Sequence, residues 1–288
     1  MRGEPRRDEP LARHTSWRVG GAARRLYRPA DAADLAVFLS RLDPAEPLLW
    51  LGLGSNLLVS DSGFPGTVIE TQGCLTALER CGERGVRAEA GTSCAKVARF
   101  AARLGLTGAE FLAGIPGTMG GALAMNAGAH GGDTWDRVRQ VRTIDRRGEI
   151  RVRAPMEFEI GYRHVQVPQG EWFLDAELQL LPGDPQSSVE RIRELLERRG
   201  RTQPIGLASC GSVFRNPPGD HAARLIEIAG LKGLRMGGAQ VSEKHANFII
   251  NTGDATAADI ARLIERVKTE VERVSGVRLI PEVRRVGE

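Results

Sequence analysis

The feature that most constrains this chain is a glycine-dense segment that runs from Gly114 to Gly132. Seven of its nineteen residues are glycine. Ordering a glycine costs more backbone entropy than ordering any other residue. A chain that orders this segment therefore needs its backbone to lie close to something flat or anionic. The alternative interpretation is a glycine-rich turn without a function.

A second glycine-rich segment, Gly52–Leu58, directly follows the strand-like run Pro47–Leu51. Its consecutive N–H groups could form a concave nest for phosphate oxygens, or they could form a tight turn. Leu57 replaces the third glycine of a G-x-G-x-x-G motif, so the sequence does not predict a Rossmann site. Two such loops in separate regions suggest one long ligand, such as a dinucleotide, that is clamped between them.

Hydrophobic periodicity divides the chain into three regions, which we predict to be domains 1–75, 76–186 and 187–288. The first alternates strand and helix. The second has short strands around one helix, Ala95–Leu104, which is typical of a mostly antiparallel α+β sheet. The third opens with Ser187-Ser188-Val189-Glu190, a capping box that predicts the start of a helix ending at Gly200.

Composition excludes several classes of protein. The sequence lacks an apolar run long enough to cross a bilayer, and Met1–Asp8 is charged, so we expect no membrane partner, no secretion signal and a cytoplasmic location. The four cysteines lack the C-x-x-C spacing of zinc or redox sites, and the five histidines lack metal-ligand spacing, so we expect no metal. The net charge of +4 is dispersed, which argues against a nucleic-acid surface.

Taken together, eight short motifs resemble one family, the UDP-N-acetylenolpyruvoylglucosamine reductases, also called UDP-N-acetylmuramate dehydrogenases. They occur in the family's order and span nearly the whole chain. The motifs are His14–Gly21, Leu51–Leu58, Gly63–Gly66, Gly114–Thr118, Met125–Ala129, Tyr162-Arg163, Gly211–Phe214 and Pro281–Arg284. The short stretch between Arg163 and Ser212 resembles the family's second type, which lacks an extra substrate-covering element.

The resemblance implies an α+β fold, with an FAD-binding fold of the vanillyl-alcohol-oxidase (PCMH) type in two subdomains and a C-terminal α/β substrate-binding domain. It implies a flavoenzyme with non-covalent FAD, and NADPH as co-substrate. The reaction would reduce the enolpyruvyl group of UDP-N-acetylglucosamine-enolpyruvate to give UDP-N-acetylmuramate. This reaction belongs to peptidoglycan precursor synthesis, and hence to cell-wall formation, cell shape and cell division. We expect a monomer.

The resemblance also implies roles for individual residues. Arg163, Ser212 and Glu282 match the catalytic trio. The substrate-binding positions are Asn216, Lys232 and His245. The positions that would bind FAD lie in the two glycine-rich segments; they are Gly52, Gly54, Ser55, Asn56, Leu57, Gly114, Ile115, Pro116, Gly117, Thr118, Gly120, Gly121, Asn126, Ala127 and Gly128. His130 departs from the family pattern, which commonly has tyrosine there.

These residue types suit the implied chemistry. Hydride arrives at the enolpyruvyl carbon β to the carboxylate, which places negative charge on the α-carbon and the carboxylate. Arg163 would stabilise that negative charge, and a protonated Glu282 would hydrogen-bond the carboxylate. Ser212 would donate the proton to the α-carbon, which a weak acid can do only when the carbanion is strongly basic and the geometry is fixed.

Two other functions are compatible with parts of the sequence. A different FAD-dependent oxidase or dehydrogenase on the same fold would need neither Ser212 nor Glu282, and its own substrate would reduce the flavin without NADPH. A nonenzymatic nucleotide-sugar binding module would have no chromophore. Neither alternative accounts for all eight motifs.

Overall fold

The computed structural model describes residues 1–287, which fall into two compact units. Unit 1 consists of Met1–Arg6, Arg25–Leu53 and Gly66–Arg198. Unit 2 consists of Arg7–Arg24, Gly54–Pro65 and the chain from Arg199 onward. None of the helices formed by residues 1–287 combines the length and the apolar character that crossing a membrane requires.

Residues 1–287 form six α-helices, four 3₁₀ turns and 21 short strands. The helices are α1 (Ala32–Ser40), α2 (Cys94–Arg103), α3 (Met119–Met125), α4 (Pro185–Thr202), α5 (Ala222–Ile228) and α6 (Ala257–Ser275). The 3₁₀ turns are Leu11–His14, Glu110–Gly114, Thr134–Arg137 and Pro155–Glu157. The strands are β1 (Glu4–Pro10), β2 (Ala22–Arg28), β3 (Leu48–Leu51), β4 (Leu57–Val59), β5 (Phe64–Glu70), β6 (Leu78–Cys81), β7 (Gly85–Glu89), β8 (Leu106–Thr107), β9 (Gly128–Ala129), β10 (Gly132–Asp133), β11 (Val138–Asp145), β12 (Ile150–Arg153), β13 (Glu159–Gly161), β14 (His164–Gln166), β15 (Glu171–Gln179), β16 (Leu181–Pro182), β17 (Ala208–Ser209), β18 (Arg235–Met236), β19 (Ala239–Val241), β20 (Ile249–Asn251) and β21 (Arg284–Val286).

The largest sheet of unit 1 is antiparallel and has the strand order β12-β11-β15-β7-β6. Helix α2 begins at Cys94, one residue before the predicted start at Ala95, because the Ser93 hydroxyl caps it by accepting a hydrogen bond from the Lys96 amide at 3.4 Å. The apolar faces of α2 and α3 are buried in the same core as the inner face of this sheet. The predicted antiparallel character of this region is confirmed.

A second core of unit 1 forms around α1. Tyr27 stacks on Phe38 with ring centroids 3.8 Å apart, and its hydroxyl donates to Asp34 Oδ2 at 2.5 Å. Asp31 caps the helix by accepting from the Asp34 amide at 2.8 Å. Strand β3 pairs in parallel with β5 beside this core.

Unit 2 is built on helix α6 and a four-stranded sheet of order β17-β20-β19-β18. Thr256 and Asp259 form a reciprocal capping box at the start of α6, and an apolar stripe along the helix is buried. Trp17 is fully buried in this core and its indole N–H donates to the Ile249 carbonyl at 2.7 Å. Strands β4 and β21 pair in parallel.

One predicted helix start is wrong. Helix α4 begins at Pro185 rather than after Ser187, and Asp184 accepts from the Ser187 amide at 2.7 Å. Proline is favoured in the first helical position, so Asp184 and Pro185 together begin the helix before the capping box. The helix also continues through Gly200 to Thr202.

Candidate active site

The glycine-dense segment of unit 1 is held by backbone hydrogen bonds on one side. The Met119 amide donates to the Thr92 carbonyl at 2.8 Å, and the Gly120 amide donates to the Ala90 carbonyl at 2.9 Å. A Cβ placed on Gly120 would lie 2.9 Å from the Ala90 Cβ. Glycine at position 120 is therefore explained by close packing against Ala90.

Thr118 carries an unpaired polar atom in this segment. Its hydroxyl is buried and has no hydrogen-bond partner among residues 1–287. A Cβ on Gly52 would lie only 2.3 Å from that hydroxyl, whereas a Cβ on exposed Gly121 would lie 3.8 Å from it. An orphaned hydroxyl between two residues without side chains can donate to a ligand oxygen, since buried polar groups are normally paired. These residues fit a phosphate-bearing cofactor such as FAD.

The part of the other glycine-rich loop that lies in unit 2, from Gly54 onward, has a mainly structural geometry. Gly54 has a φ of +67°, and a Cβ there would lie 2.1 Å from the His14 carbonyl oxygen. The Asn56 side-chain amide donates to the Glu282 carbonyl at 3.1 Å, and the Asn56 carbonyl accepts from the Arg284 amide at 3.0 Å. The loop therefore holds the segment that carries Glu282.

Arg163 lies in unit 1 at the turn between β13 and β14, with a φ of +53°. Its guanidinium donates to the carbonyl oxygens of Asn126 at 3.0 Å and Gly128 at 2.7 Å, and to Asp133 Oδ1 at 3.0 Å. The side chain is 16% exposed. A Cβ on Gly128 would lie 1.8 Å from Asp133 Oδ1, so only glycine fits there. The glycine-dense segment thus anchors the arginine.

Asn126 connects that anchor to the hairpin. It occupies the left-handed region with a φ of +42° at the end of α3. Its side chain donates to the Gly161 carbonyl at 3.1 Å and accepts from the Trp135 amide at 3.1 Å. The structure therefore brings predicted residues Asn126, Gly128 and Arg163 together.

Ser212 and Glu282 both lie in unit 2, where backbone pairing relates them. Phe214 forms an antiparallel bridge with Pro281. The Glu282 amide donates to the Val213 carbonyl at 2.8 Å, and the Arg215 amide donates to the Ile280 carbonyl at 2.9 Å. Pro281 has no N–H and needs none at this position, because the hydrogen bonds flank the bridged pair.

The three predicted substrate residues also lie in unit 2. Asn216 Oδ1 accepts from the Ala222 amide at 3.0 Å, and Lys232 lies 3.3 Å from a Glu227 carboxylate oxygen. Burial lowers the pKa of His245 below its ordinary value of 6.5. Its Nδ1 accepts from the Asn247 amide at 3.3 Å, which requires the proton of the neutral ring to be on Nε2.

Sequence reasoning missed Asp133, which pairs with Arg163. An acidic residue directly after Gly132 was the one available signal, and only the β13–β14 hairpin brings the two side chains together. Among residues 1–287, no group of three or more histidine, cysteine, aspartate or glutamate side chains is placed to hold a metal ion.

Two family models match the chain. "UDP-N-acetylenolpyruvoylglucosamine reductase, C-terminal domain" matches residues 203–286, and "FAD binding domain" matches residues 23–153. Six of the eight motifs fall within these two ranges, whereas His14–Gly21 and Tyr162-Arg163 lie outside them.

Similar proteins cover the chain almost completely. The UDP-N-acetylenolpyruvoylglucosamine reductase of Alkalilimnicola ehrlichii is 65% identical over 286 residues, which are 99% of this chain and 96% of that protein. The enzyme of the same name from Methylococcus capsulatus is 63% identical over 97% of this chain and 92% of that protein.

A solved structure of an enzyme of this name also matches the whole chain. The crystal structure of UDP-N-acetylenolpyruvylglucosamine reductase from Thermus caldophilus aligns over 100% of both chains, with 34% identity and a TM-score of 0.83. The predicted fold, an α+β FAD-binding fold followed by a C-terminal domain, is confirmed. The resemblance that the motifs indicated is confirmed as well: the chain belongs to the UDP-N-acetylenolpyruvoylglucosamine reductase family.

Proposed function

We propose that this protein is an FAD-dependent oxidoreductase that reduces the enolpyruvyl group of UDP-N-acetylglucosamine-enolpyruvate to give UDP-N-acetylmuramate, in peptidoglycan precursor synthesis. NADPH is the proposed source of the hydride, and FAD is held without a covalent bond. The observation that carries the proposal is the 65% identity over 99% of the chain to a reductase of that name. The FAD-binding domain match supports the cofactor.

The orphaned Thr118 hydroxyl and the bare backbone at Gly52 and Gly121 support FAD binding. When bound, FAD would supply the redox-active ring that hydride transfer from NADPH to the substrate needs. We propose the two glycine-rich segments as its binding residues. Within them, Thr118 is the donor that would gain a partner, while Gly54, Gly120 and Gly128 are also needed for close packing within their own units.

Arg163 is proposed to neutralise negative charge on the substrate carboxylate and α-carbon. Two carbonyl oxygens and Asp133 fix its guanidinium before substrate arrives. A fixed cation lowers the free energy of a developing anion without having to reorganise. Lysine would not reproduce this geometry, because only the planar fork can donate to several acceptors in fixed directions.

Ser212 is proposed to donate the proton to the α-carbon, and Glu282 to hydrogen-bond the carboxylate in its protonated form. The backbone pairing of 213–215 with 280–282 supports joint action, because it fixes the two residues in one part of the fold. Fixed geometry is what a weak acid such as serine needs in order to donate a proton. Asn216, Lys232 and His245 are proposed to bind the nucleotide sugar.

The remaining proposals rest on resemblance and composition. We propose a cytoplasmic monomer that acts in cell-wall formation, and through it in cell shape and division, without nucleic-acid or membrane partners. We also propose FAD-binding subdomains 1–75 and 76–186 and a substrate-binding domain 187–288. Light scattering during size-exclusion chromatography tests the monomer, and limited proteolysis tests the boundary near residue 186.

An absorbance spectrum of the purified protein tests the proposed function. We expect a yellow protein whose flavin bands disappear on addition of NADPH and return on anaerobic addition of the enolpyruvyl sugar nucleotide. A colourless protein that takes up no FAD would contradict the proposal. Flavin reduction by an alcohol or hydroxy acid in the absence of NADPH would instead support a different oxidase on the same fold.

A further inference from the structure

The segment between Ser212 and Asn216 is held on two sides, and one side is a single asparagine. We propose that Asn247 is a positioning residue that sets Ser212 relative to Glu282. The inference rests on the proposed function, because Ser212 and Glu282 are its proposed proton donor and acid. Asn247 is not among the residues for which the sequence predicts a role.

The Asn247 side chain pairs with the backbone of Phe214 in the way that a neighbouring β-strand would. Its Oδ1 accepts from the Phe214 amide at 3.0 Å, and its Nδ2 donates to the Phe214 carbonyl at 2.8 Å. Its own backbone carbonyl accepts from the Val213 amide at 2.9 Å. The residue is only 3% exposed, so water cannot readily take over these bonds.

The opposite side of the segment is paired with the chain that carries Glu282. The Glu282 amide donates to the Val213 carbonyl and the Arg215 amide donates to the Ile280 carbonyl. Val213–Arg215 is therefore held between Asn247 on one side and residues 280–282 on the other. Ser212 immediately precedes this segment, so a shift of the segment moves the serine hydroxyl with it.

Asn251 provides a matched control in the same unit. Its Nδ2 donates to the Trp17 carbonyl at 2.9 Å, and its Oδ1 accepts from the amides of Gly253 at 2.8 Å and Ala255 at 3.0 Å. It is thus another asparagine that pairs with backbone groups on both sides of its carboxamide. None of these partners belongs to the segment that carries Ser212 or Glu282.

The main test compares Asn247→Leu with Asn251→Leu by stopped-flow spectroscopy of the two half-reactions. We expect Asn247→Leu to slow flavin reoxidation by the enolpyruvyl sugar nucleotide by about 100-fold, the size of effect expected for a displacement of about 1 Å. Flavin reduction by NADPH should stay at the wild-type rate. Asn251→Leu should lower the thermal midpoint and leave both rates unchanged.

Asn247→Asp separates positioning from a general loss of stability. The aspartate keeps the acceptor for the Phe214 amide, and only its protonated form can donate to the Phe214 carbonyl. Desolvation raises the pKa of a buried carboxyl. The reoxidation rate of Asn247→Asp relative to wild type should therefore rise as the pH falls. Taking the ratio to wild type at each pH removes the pH dependence that the two proteins share.

Amide hydrogen exchange gives a readout that does not depend on activity. In the wild type, the Phe214 and Glu282 amides should exchange slowly and together, and Asn247→Leu should accelerate both. The inference is overturned if Phe214 exchanges as fast as an exposed loop in the wild type, or if both half-reactions slow equally in Asn247→Leu. If Asn247→Leu does not fold, amide exchange in the wild type and the pH dependence of reoxidation in Asn247→Asp still test the inference. A wild-type protein without a flavin cycle would defeat the proposed function, while the exchange result would stand by itself.

Discussion

The two units hold their predicted catalytic side chains in different ways. In unit 1, the head group of Arg163 is anchored directly by two carbonyl oxygens and a carboxylate. In unit 2, hydrogen bonds to the backbone on either side of Val213–Arg215, from Asn247 and from residues 280–282, place Ser212 and Glu282. The difference follows from side-chain length. A long, flexible arginine must be fixed at its charged end, whereas a serine hydroxyl goes wherever its backbone goes.

The largest expected effect tests the backbone-positioned residue. Ser212→Ala should slow flavin reoxidation by the enolpyruvyl sugar nucleotide by about 10²–10⁴-fold, because it removes the proposed general acid. Reduction of the flavin by NADPH should not change. Stopped-flow absorbance measures both steps, with Ser209→Ala in β17 as the matched control. An equal loss in both half-reactions would remove the proton-donor role.

The second-largest expected effect tests Arg163, the residue that is anchored at its head group. Arg163→Met should lower the reoxidation rate by about 10²–10³-fold, since it removes the fixed positive charge that we propose stabilises the developing anion. Arg163→Lys should recover only part of that loss, because an ammonium cannot bond Asn126, Gly128 and Asp133 in the same geometry. Arg139→Lys is the control, because Arg139 has an exposed side chain that pairs with Glu177 away from these residues. Full recovery with lysine would show that the anchor is unimportant.

The anchor can also be disturbed through a glycine. Gly128→Ala would place a Cβ 1.8 Å from Asp133 Oδ1 and 2.9 Å from the Arg163 guanidinium. We expect it to lower the free energy of unfolding by about 1–3 kcal/mol, the usual cost of overpacking. Urea denaturation measures the change. An alanine variant as stable as wild type would mean that Asp133 and Arg163 can separate at no cost.

Unit 2 also contains a buried histidine, His245, whose titration should make the free energy of unfolding depend on pH. Because burial lowers its pKa, the folded state binds fewer protons than the unfolded state below about pH 6.5. The free energy of unfolding should therefore fall as the pH decreases from 6.5 towards the folded pKa, and should be unaffected by this group above 6.5. His245→Gln should remove that part of the slope in denaturation at a series of pH values. An unchanged slope would contradict it.

The smallest expected effect comes from a glycine that contacts neither Arg163 nor the segment Val213–Arg215. Gly200 lies inside α4, and a Cβ there would meet nothing within 4 Å. Gly200→Ala should raise the free energy of unfolding by about 0.4–1 kcal/mol by restricting the unfolded chain. It should leave both half-reactions unchanged. Comparison with Gly128→Ala distinguishes a glycine whose neighbours leave no room for a Cβ from a glycine whose surroundings are open.

Local signals predicted local structure well. Asp31, Ser93 and Thr256 each accept the hydrogen bond expected of a helix N-cap, because capping depends on residues three positions apart. The capping box at Ser187 was wrong, since Asp184 and Pro185 start the helix earlier. Ser188 is instead buried and donates to Glu110 at 2.8 Å, a contact across 78 residues that no local pattern reports.

The sequence by itself determined the family, the glycine-rich segments and the residue types that the chemistry needs. Only the tertiary structure revealed that Asp133 pairs with Arg163, that Asn247 holds the segment after Ser212, and that several glycines are required by their neighbours within the protein. The reason is physical. Periodicity and capping reflect interactions between residues a few positions apart. Contacts between distant residues form only when chain topology closes the loops that separate them.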